Sequence, residues 1–382
     1  MRPVVGLLAL LVALPVAASP PDTAASVRWT AFALDVWAEA SDLRTQARAE
    51  AARGDSTGLR ILRSLPPAGR LWPLLALAQH DAARLGEAAV IGASAAALDA
   101  LLPEAALRQR VAARLDAEVQ ALADTSGLAA GRHATLARLA AAPDDDPTWT
   151  GTVPEGPDVW RPYPNTEPEG AAVPGYRPWV LDRADRFRPP PPPAVGSEAF
   201  RAALDEVREA TETRTMEQRR RARFWARVHG ATEWTRRAAT LLARDGTADP
   251  EAAAVLAALQ VSIYDGIIAC WEAKYHYWLI RPEQVDPSIT RPWGVALPNF
   301  PAYPSGHACT AGAAETVLAA ALPEAADEIG HAAWEMAESR LWGGVHYRFD
   351  NDAGLDLGRA VARYVLAHAD RLGADRLGEE RP

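Results

Sequence analysis

The chain has 382 residues, about half of them apolar with Ala and Leu foremost, and its 49 acidic residues against 40 basic ones give a net charge of −9. This length fits one large domain or two small ones, and Ala and Leu are strong helix formers, so the composition points to helix. An acidic chain with no basic patch of interleaved aromatics is excluded as a nucleic-acid binder, and nothing has the spacing of a zinc module.

Residues 1–18 predict an export signal. Arg2 supplies the positive start, Val4 to Leu14 is apolar, and Val16-Ala17-Ala18 gives the small residues a signal peptidase needs. The apolar run is too short to span a bilayer comfortably, and Pro15 interrupts it. The expectation is an exported protein, periplasmic or secreted, with no membrane span after signal cleavage. A homo-oligomer is left open.

Residues 19–142 read as an N-terminal series of helices. Segments such as Ala97–Ala123 carry apolar residues at three- and four-residue spacing. From 143 to 196 the chain turns rich in Pro, Gly, Trp and Asp and ends in the run Pro189–Pro193. Helix does not survive that density of proline, so this is extended chain with turns. Trp149, Trp160 and Trp179 are costly to expose and should pin it to the helical body. Ser197 reads as the N-cap of a new helix, and residues 197–375 form a second helical region. Within it, Arg219-Arg220-Arg221 are consecutive, cannot share one helix face, and read as solvated cations. The fold class is all-α, two helical halves with a Pro-rich extended segment between them.

Three blocks carry chemistry. In the first, Lys274 and Arg281-Pro282 stand seven residues apart. On one helix that is about 700° of rotation and roughly 10 Å of rise, which sets both cations on one stripe. In the second, Pro304-Ser305-Gly306-His307 opens a helix of small residues. Free N–H groups and the positive dipole end make such a start an anion site, with the Ser305 hydroxyl and Gly306 amide as donors and His307 placed to exchange a proton. The third runs from Ser339-Arg340 through Gly343-Gly344 to His346. Six residues put Arg340 and His346 on different helix faces, and the glycine pair is expected to break the helix and re-aim His346. Asp350 would orient the His346 ring or serve as a helix cap. Cys270 and Cys309 flank these blocks and read as two buried thiols, with a bridge left open.

Lys-x6-Arg-Pro, Pro-Ser-Gly-His and Ser-Arg-x5-His together resemble the shared signature of vanadium-dependent haloperoxidases and the type 2 phosphatidic acid phosphatase superfamily. Looser resemblance to bacterial haloperoxidase-like proteins extends upstream through Phe187–Pro193 and the helix after Ser197, about half the chain in all. The resemblance implies the superfamily's helical bundles, with vanadate as cofactor and phosphate as a competing occupant. It implies that His346 binds the anion, as the nitrogen ligand of vanadate or as the nucleophile of a phosphohistidine. Lys274, Arg281, Ser305, Gly306 and Arg340 would hold the anion's oxygens. His307 would be the acid–base group, taking a proton from hydrogen peroxide or giving one to a leaving alcohol.

Three features lean to the haloperoxidase side. Phe300-Pro301-Ala302-Tyr303 resembles fungal-type chloroperoxidases, with Phe300 where an aromatic flanks the halide. Trp271 is similar in placement to another pocket aromatic. Tyr347-Arg348-Phe349-Asp350 follows His346, where many phosphatases have Pro-Ser-Asp. Phe300 and Trp271 also read as plain core residues. The expected function is vanadate-dependent oxidation of halide with hydrogen peroxide; the alternative is an acid phosphatase hydrolysing a phosphate ester. A non-catalytic oxyanion binder fits less well, because pure binding has no need of His307.

Overall fold

The computed structural model describes residues 23–52, 68–102, 104–142, 148–164 and 166–373, with the side chains of 42–52 and 68–69 outside that description. The export signal therefore lies outside the described residues. No strand occurs among those described, only an antiparallel bridge between Val159 and Leu279.

Among the described residues, five helices form the N-terminal half: α1 (Ala25–Ala52), α2 (Ala68–Ala83), α3 (Glu87–Leu101), α4 (Ala105–Ala121) and α5 (Leu128–Ala141). The periodic stretch from 97 to 123 spans the end of α3 and the whole of α4. Leu102 is extended, with φ −95° and ψ 118°, as a residue preceding proline prefers to be. The extended segment follows and is pinned as expected: Trp160 and Trp179 are buried, and Trp149 lies against Trp278. A deeper anchor is the buried Asp265 carboxylate, which accepts N–H bonds from Trp179, Val180 and Leu181 at 2.7, 2.8 and 2.8 Å.

The second half holds α6 (Glu198–Thr213), α7 (Met216–Arg227), α8 (Gly230–Asp245), α9 (Asp249–Tyr277), the short α10 (Pro282–Val285), α11 (Gly306–Ala321), α12 (Ala326–Trp342) and α13 (Arg348–Ala367). Ser197 caps α6 by accepting the Phe200 N–H. Arg220 and Arg221 pair with Glu217 on the surface of α7. The axle is α9. By length and composition it could cross a membrane, but 78% of its apolar window is buried inside the fold, where it packs against α2, α11 and α13. Helices α11 and α13 meet backbone to backbone. A Cβ on Gly358 would stand 2.1 Å from the Cys309 carbonyl oxygen, and one on Gly312 would stand 2.3 Å from that of Leu355. Only glycine permits that approach.

The N-terminal half joins this bundle through a carboxylate clamp. Both oxygens of Asp249, in the first turn of α9, accept N–H bonds from the start of α1, at Ala25 and Ser26, each at 2.7 Å. These otherwise orphaned donors carry the positive end of the α1 dipole.

Candidate functional site: an oxyanion pocket

Lys274 lies in the last turn of α9, where the helix stops. Trp278 takes a left-handed conformation, φ 52° and ψ 29°, and its N–H closes on the Lys274 carbonyl at 2.9 Å. That backbone is unfavourable for a residue with a Cβ. The ring of Trp278 is held among Trp149, Trp160 and Tyr275, and its carbonyl accepts the Trp160 N–H. Arg281 is then extended ahead of Pro282, with φ −84° and ψ 155°. Lys274 and Arg281 thus do not share one helical stripe. The left-handed Trp278 ends the helix, proline disfavours α geometry at the preceding residue, and the chain turns back to bring Arg281 beneath the same site.

Both cations are fully buried and direct most of their donors to backbone carbonyls. The Lys274 ammonium donates to Pro301 at 3.0 Å, to Ala302 at 2.9 Å and to Pro304. Arg281 donates from Nε to Phe300 at 2.9 Å and from Nη1 to Val345 at 2.6 Å. They shape the 300–304 loop and place positive charge behind the pocket wall. Phe300 lies between them: its ring centre is 5.1 Å from Nζ of Lys274, 5.0 Å from Cζ of Arg281 and 5.2 Å from the ring of Trp271.

Ser305 is the N-cap of α11, its hydroxyl accepting from Ala308, so Gly306 and His307 are the first helical residues. Their N–H groups belong to the turn that has no intrahelical partner. A Cβ at Gly306 would meet the Trp271 ring at 2.9 Å. At the far side α12 ends at Trp342, and Gly344 takes φ 70°. The expected break is there, and it turns His346 towards Arg340.

The tautomers of the two histidines follow from their partners. Arg281 Nη1 stands 3.2 Å from His346 Nε2. A guanidinium can only donate, so Nε2 is the bare nitrogen. Nδ1 then carries the proton and gives it to Asp350 Oδ2 at 2.8 Å. The same oxygen accepts the Tyr347 N–H at 3.1 Å, so Asp350 both orients the ring and caps α13. His307 is the mirror case. Its Nε2 faces the Trp225 carbonyl at 2.9 Å, and a carbonyl can only accept. Nε2–H is the donor, which leaves Nδ1 bare.

Burial sets the charges. It holds both histidines well below the usual 6.5, reinforced at His346 by Arg281 and at His307 by Arg340. It brings Lys274 down to about 8, Arg281 to about 9 and Arg340 to about 10, and raises Asp350 to about 7. At neutral pH the site therefore holds three cations and two neutral imidazoles. Arg340 decides what fits. Its Nε and Nη1 are buried without a hydrogen-bond partner, a desolvation cost of about 1–3 kcal/mol per group. Arg340 also lines a cavity of 480 Å³, together with Gly306, His307, His346, Trp271 and Phe300. Arginine donors, a helix N-terminus and a bare imidazole nitrogen suit a tetrahedral or bipyramidal oxyanion such as phosphate or vanadate.

The comparisons agree with this geometry. Residues 252–373 match the model of the PAP2 superfamily. They form a PAP2-superfamily region. The non-specific acid phosphatases of Salmonella typhi and Salmonella typhimurium strain LT2 are each 36% identical over 95 residues, 24% of this chain and 38% of theirs. The chain thus spans well under half the length of those relatives. A bacterial vanadium-dependent iodoperoxidase structure superposes with a TM-score of 0.63 at 23% identity, covering 78% of this chain and 90% of that one. The apo form of a bacterial vanadium-dependent chloroperoxidase gives 0.64 at 15% identity, covering 79% and 93%. The holo form gives 0.63 at 16%. The fold is theirs.

Of the motif residues, Gly306, His307, Arg340 and His346 line the cavity with Trp271 and Phe300, whereas Lys274, Arg281 and Ser305 lie behind its wall. Cys270 and Cys309 are buried, unbridged thiols, as the simpler reading had it, and Cys270 lies against the Pro304 carbonyl. Sequence reasoning missed the carbonyls that fix the site: Trp225 behind His307, Val345 behind Arg281, and Pro301, Ala302 and Pro304 around Lys274. Every residue has a carbonyl, so none of these has a sequence signature. The one available clue was Pro301 and Pro304, which lack an N–H and leave their loop rich in acceptors.

Proposed function

We propose that the chain is an exported, vanadate-dependent haloperoxidase that oxidises halide with hydrogen peroxide. His346 would hold the vanadate through Nε2, while the Arg340 guanidinium and the first-turn N–H groups of α11 would donate hydrogen bonds to its oxygens. Bound vanadate would supply a Lewis-acidic centre that activates peroxide towards halide. The chain's own residues do the rest. The Trp225 carbonyl fixes the His307 ring and leaves Nδ1 free to take a proton from peroxide. Asp350 keeps His346 in the one tautomer that presents Nε2. Trp271 and Phe300, backed by the Lys274 charge, give a weakly hydrated halide an apolar surface with a cation behind it.

The observation that carries the reading is a buried, incompletely partnered Arg340 lining the same cavity as His346, whose Nε2 carries no proton. The charge state of His307 favours peroxide over a phosphate ester. Burial and Arg340 keep its ring neutral, so it is ready to act as a base, whereas a leaving alcohol needs an acid. The second reading is an acid phosphatase in which His346 Nε2 attacks phosphorus and His307 protonates the leaving oxygen. The local identity to the Salmonella phosphatases supports it.

One assay separates the two. Purified apoprotein is given iodide or bromide with peroxide, with and without vanadate, alongside a phosphate ester. Vanadate-dependent halide oxidation is the expected result. Ester hydrolysis that vanadate inhibits, with no halide oxidation, would overturn it.

A further inference from the structure

The two cysteines of the chain, Cys270 and Cys309, have no part in the chemistry proposed above, yet the fold sets them opposite each other. Helices α9 and α11 run antiparallel. A Cβ on Gly306, at the start of α11, would meet Trp271 near the end of α9, and one on Gly266 would stand 4.0 Å from the Cβ of Ala313. One turn on from Gly266 is Cys270, and one turn back from Ala313 is Cys309, so the same register pairs the two cysteines. A disulfide needs Cβ atoms about 3.5–4.5 Å apart, which is the spacing this register provides. The side chains agree with it. The two thiols share a hydrogen bond, and both are fully buried. Their backbones are held as well: α13 packs Gly358 against the Cys309 carbonyl, and Cys270 lies 3.8 Å from the Pro304 carbonyl.

We propose that Cys270 and Cys309 are an oxidation site, which hydrogen peroxide converts to an intramolecular disulfide stapling α9 to the first turn of α11. The link joins the helix that carries Lys274 to the helix start that presents Gly306 and His307. It goes beyond the haloperoxidase reading and stands without it, although that reading brings peroxide to the adjoining cavity. Ile268, Trp271, Gly306 and Thr310 of the cavity wall flank the two cysteines along the chain.

The two sulfurs are not equivalent. Burial opposes ionisation of both. At Cys270 the hydrogen bond with Cys309 and the Lys274 ammonium outweigh it, so this thiol lies below the usual 9.0. Burial and the Cys270 hydrogen bond hold Cys309 well above that value. Thiolate is the nucleophile, so Cys270 reacts first. Its sulfur takes one peroxide oxygen as the O–O bond breaks, giving a sulfenic acid. The other oxygen leaves as hydroxide and takes up the proton that Cys270 gave off. The Cys309 sulfur then attacks that of Cys270: S–S forms, S–O breaks, and a second water leaves with the Cys309 proton. The sum is 2 R–SH + H₂O₂ → R–S–S–R + 2 H₂O, and the thiols supply both electrons that peroxide accepts. Closing the bridge also keeps either sulfur from the irreversible sulfinic and sulfonic stages.

The test treats the purified, folded protein with hydrogen peroxide, then counts thiols in denaturant and maps the peptides. Both thiols should vanish, and the Cys270 and Cys309 peptides should travel together, two hydrogens lighter than their sum, until dithiothreitol parts them. Thiols that survive in the folded protein, under conditions that oxidise them in the denatured chain, would overturn the proposal. So would sulfinic or sulfonic acid at either residue, or a bridge between two chains. The oxidised protein should melt about 5 °C above the reduced one, and an unchanged or lower melting temperature would show that the bridge staples nothing. Single variants, each a small side chain for another, test the order of events. In Cys309→Ala the remaining Cys270 should form a sulfenic acid that dimedone traps. In Cys270→Ala the remaining Cys309 should react about tenfold more slowly or less, and equal rates would overturn the assigned roles. Neither variant should gain thermal stability from peroxide. None of these readouts needs vanadate or halide, so failure of the bridge and failure of the haloperoxidase reading are separate results.

Discussion

Helices α9–α13 and helices α1–α5 are both built largely from alanine and leucine, yet they are held together differently. In the C-terminal set, α11 and α13 touch through glycine backbones, and the interior between α9, α11 and α13 contains lysine, arginine, histidine and aspartate. In the N-terminal set the interior is aliphatic and aromatic, with Trp29, Leu34, Leu71 and Val90 at its centre. Among its polar exceptions, Gln79 is satisfied internally, by the Ser26 carbonyl and the Ser94 hydroxyl. Its buried charge is paired with carboxylate, as in Arg138 on Asp81 and Arg28 on Glu118. One half therefore carries the reactive groups at an electrostatic cost, and the other supplies apolar surface. Buried cations without carboxylate partners are destabilising on their own, so the C-terminal half depends on a bound anion in a way the N-terminal half does not.

The sharpest way to break this comparison is to remove the two histidines one at a time. His346→Ala should abolish oxyanion binding as read by calorimetry, because Nε2 is the only bare ligand atom fixed by two partners. His307→Ala should keep binding within a few-fold and lose about 10²–10⁴ in kcat, the usual worth of a positioned acid–base group. If both variants lose binding and turnover equally, the division between a holding and a proton-moving histidine is wrong.

How much of this was legible in the sequence differs between the same two regions. The chemistry of the site was readable, because oxyanion recognition requires residue types whose spacing survives in the chain: Ser305-Gly306 at a helix start, and Arg340 and His346 across a glycine pair. The path of the chain was less so. Equal spacing on a helix suggested one stripe for Lys274 and Arg281, whereas the left-handed Trp278 ends that helix, and nothing in a tryptophan announces positive φ. Asp350 could be read as orienting residue or cap, and its Oδ2 does both. The carboxylate roles of Asp265 and Asp249 were invisible, because their partners are backbone amides 84 to 86 and 223 to 224 residues away. The apolar part of the cavity wall was equally hidden, since Trp72, Val173 and Tyr176, which line it, carry no motif.

Two stability variants sharpen the contrast. Asp265→Ala strips three buried N–H groups of their acceptor and should lower unfolding stability by about 3 kcal/mol, since each unsatisfied donor costs about 1–3 kcal/mol and some will find water. The readout is denaturant unfolding, and the extended segment should become protease-sensitive first. Gly358→Ala adds one methyl where α13 meets the Cys309 carbonyl and should cost about 1–3 kcal/mol through overpacking. A loss below about 0.5 kcal/mol would mean that α11 and α13 can separate freely, contrary to the close backbone contact.

The smallest effect concerns pH and reports on the buried charge directly. Lys274 ionises near pH 8 because burial disfavours its ammonium, and Arg281 adds repulsion, while Asp350 opposes both. An oxyanion at the site would favour the protonated form, so binding is linked to the Lys274 proton. Affinity for inorganic phosphate should therefore fall above pH 8, by up to tenfold per unit, or about 1.4 kcal/mol. Phosphate remains a dianion from pH 8 to 10, so its own charge does not confuse the slope. Stability of the anion-free protein should move the other way. Between about pH 8 and the ordinary lysine value of 10.5 the unfolded chain holds the Lys274 proton and the folded one does not, so unfolding free energy rises with pH from this group. Phosphate calorimetry and denaturant unfolding over pH 7–10, repeated on Lys274→Met, test both slopes. Flat affinity in the unaltered protein would show that the Lys274 charge does not reach the anion, and that the ammonium serves only to hold the 301–304 loop.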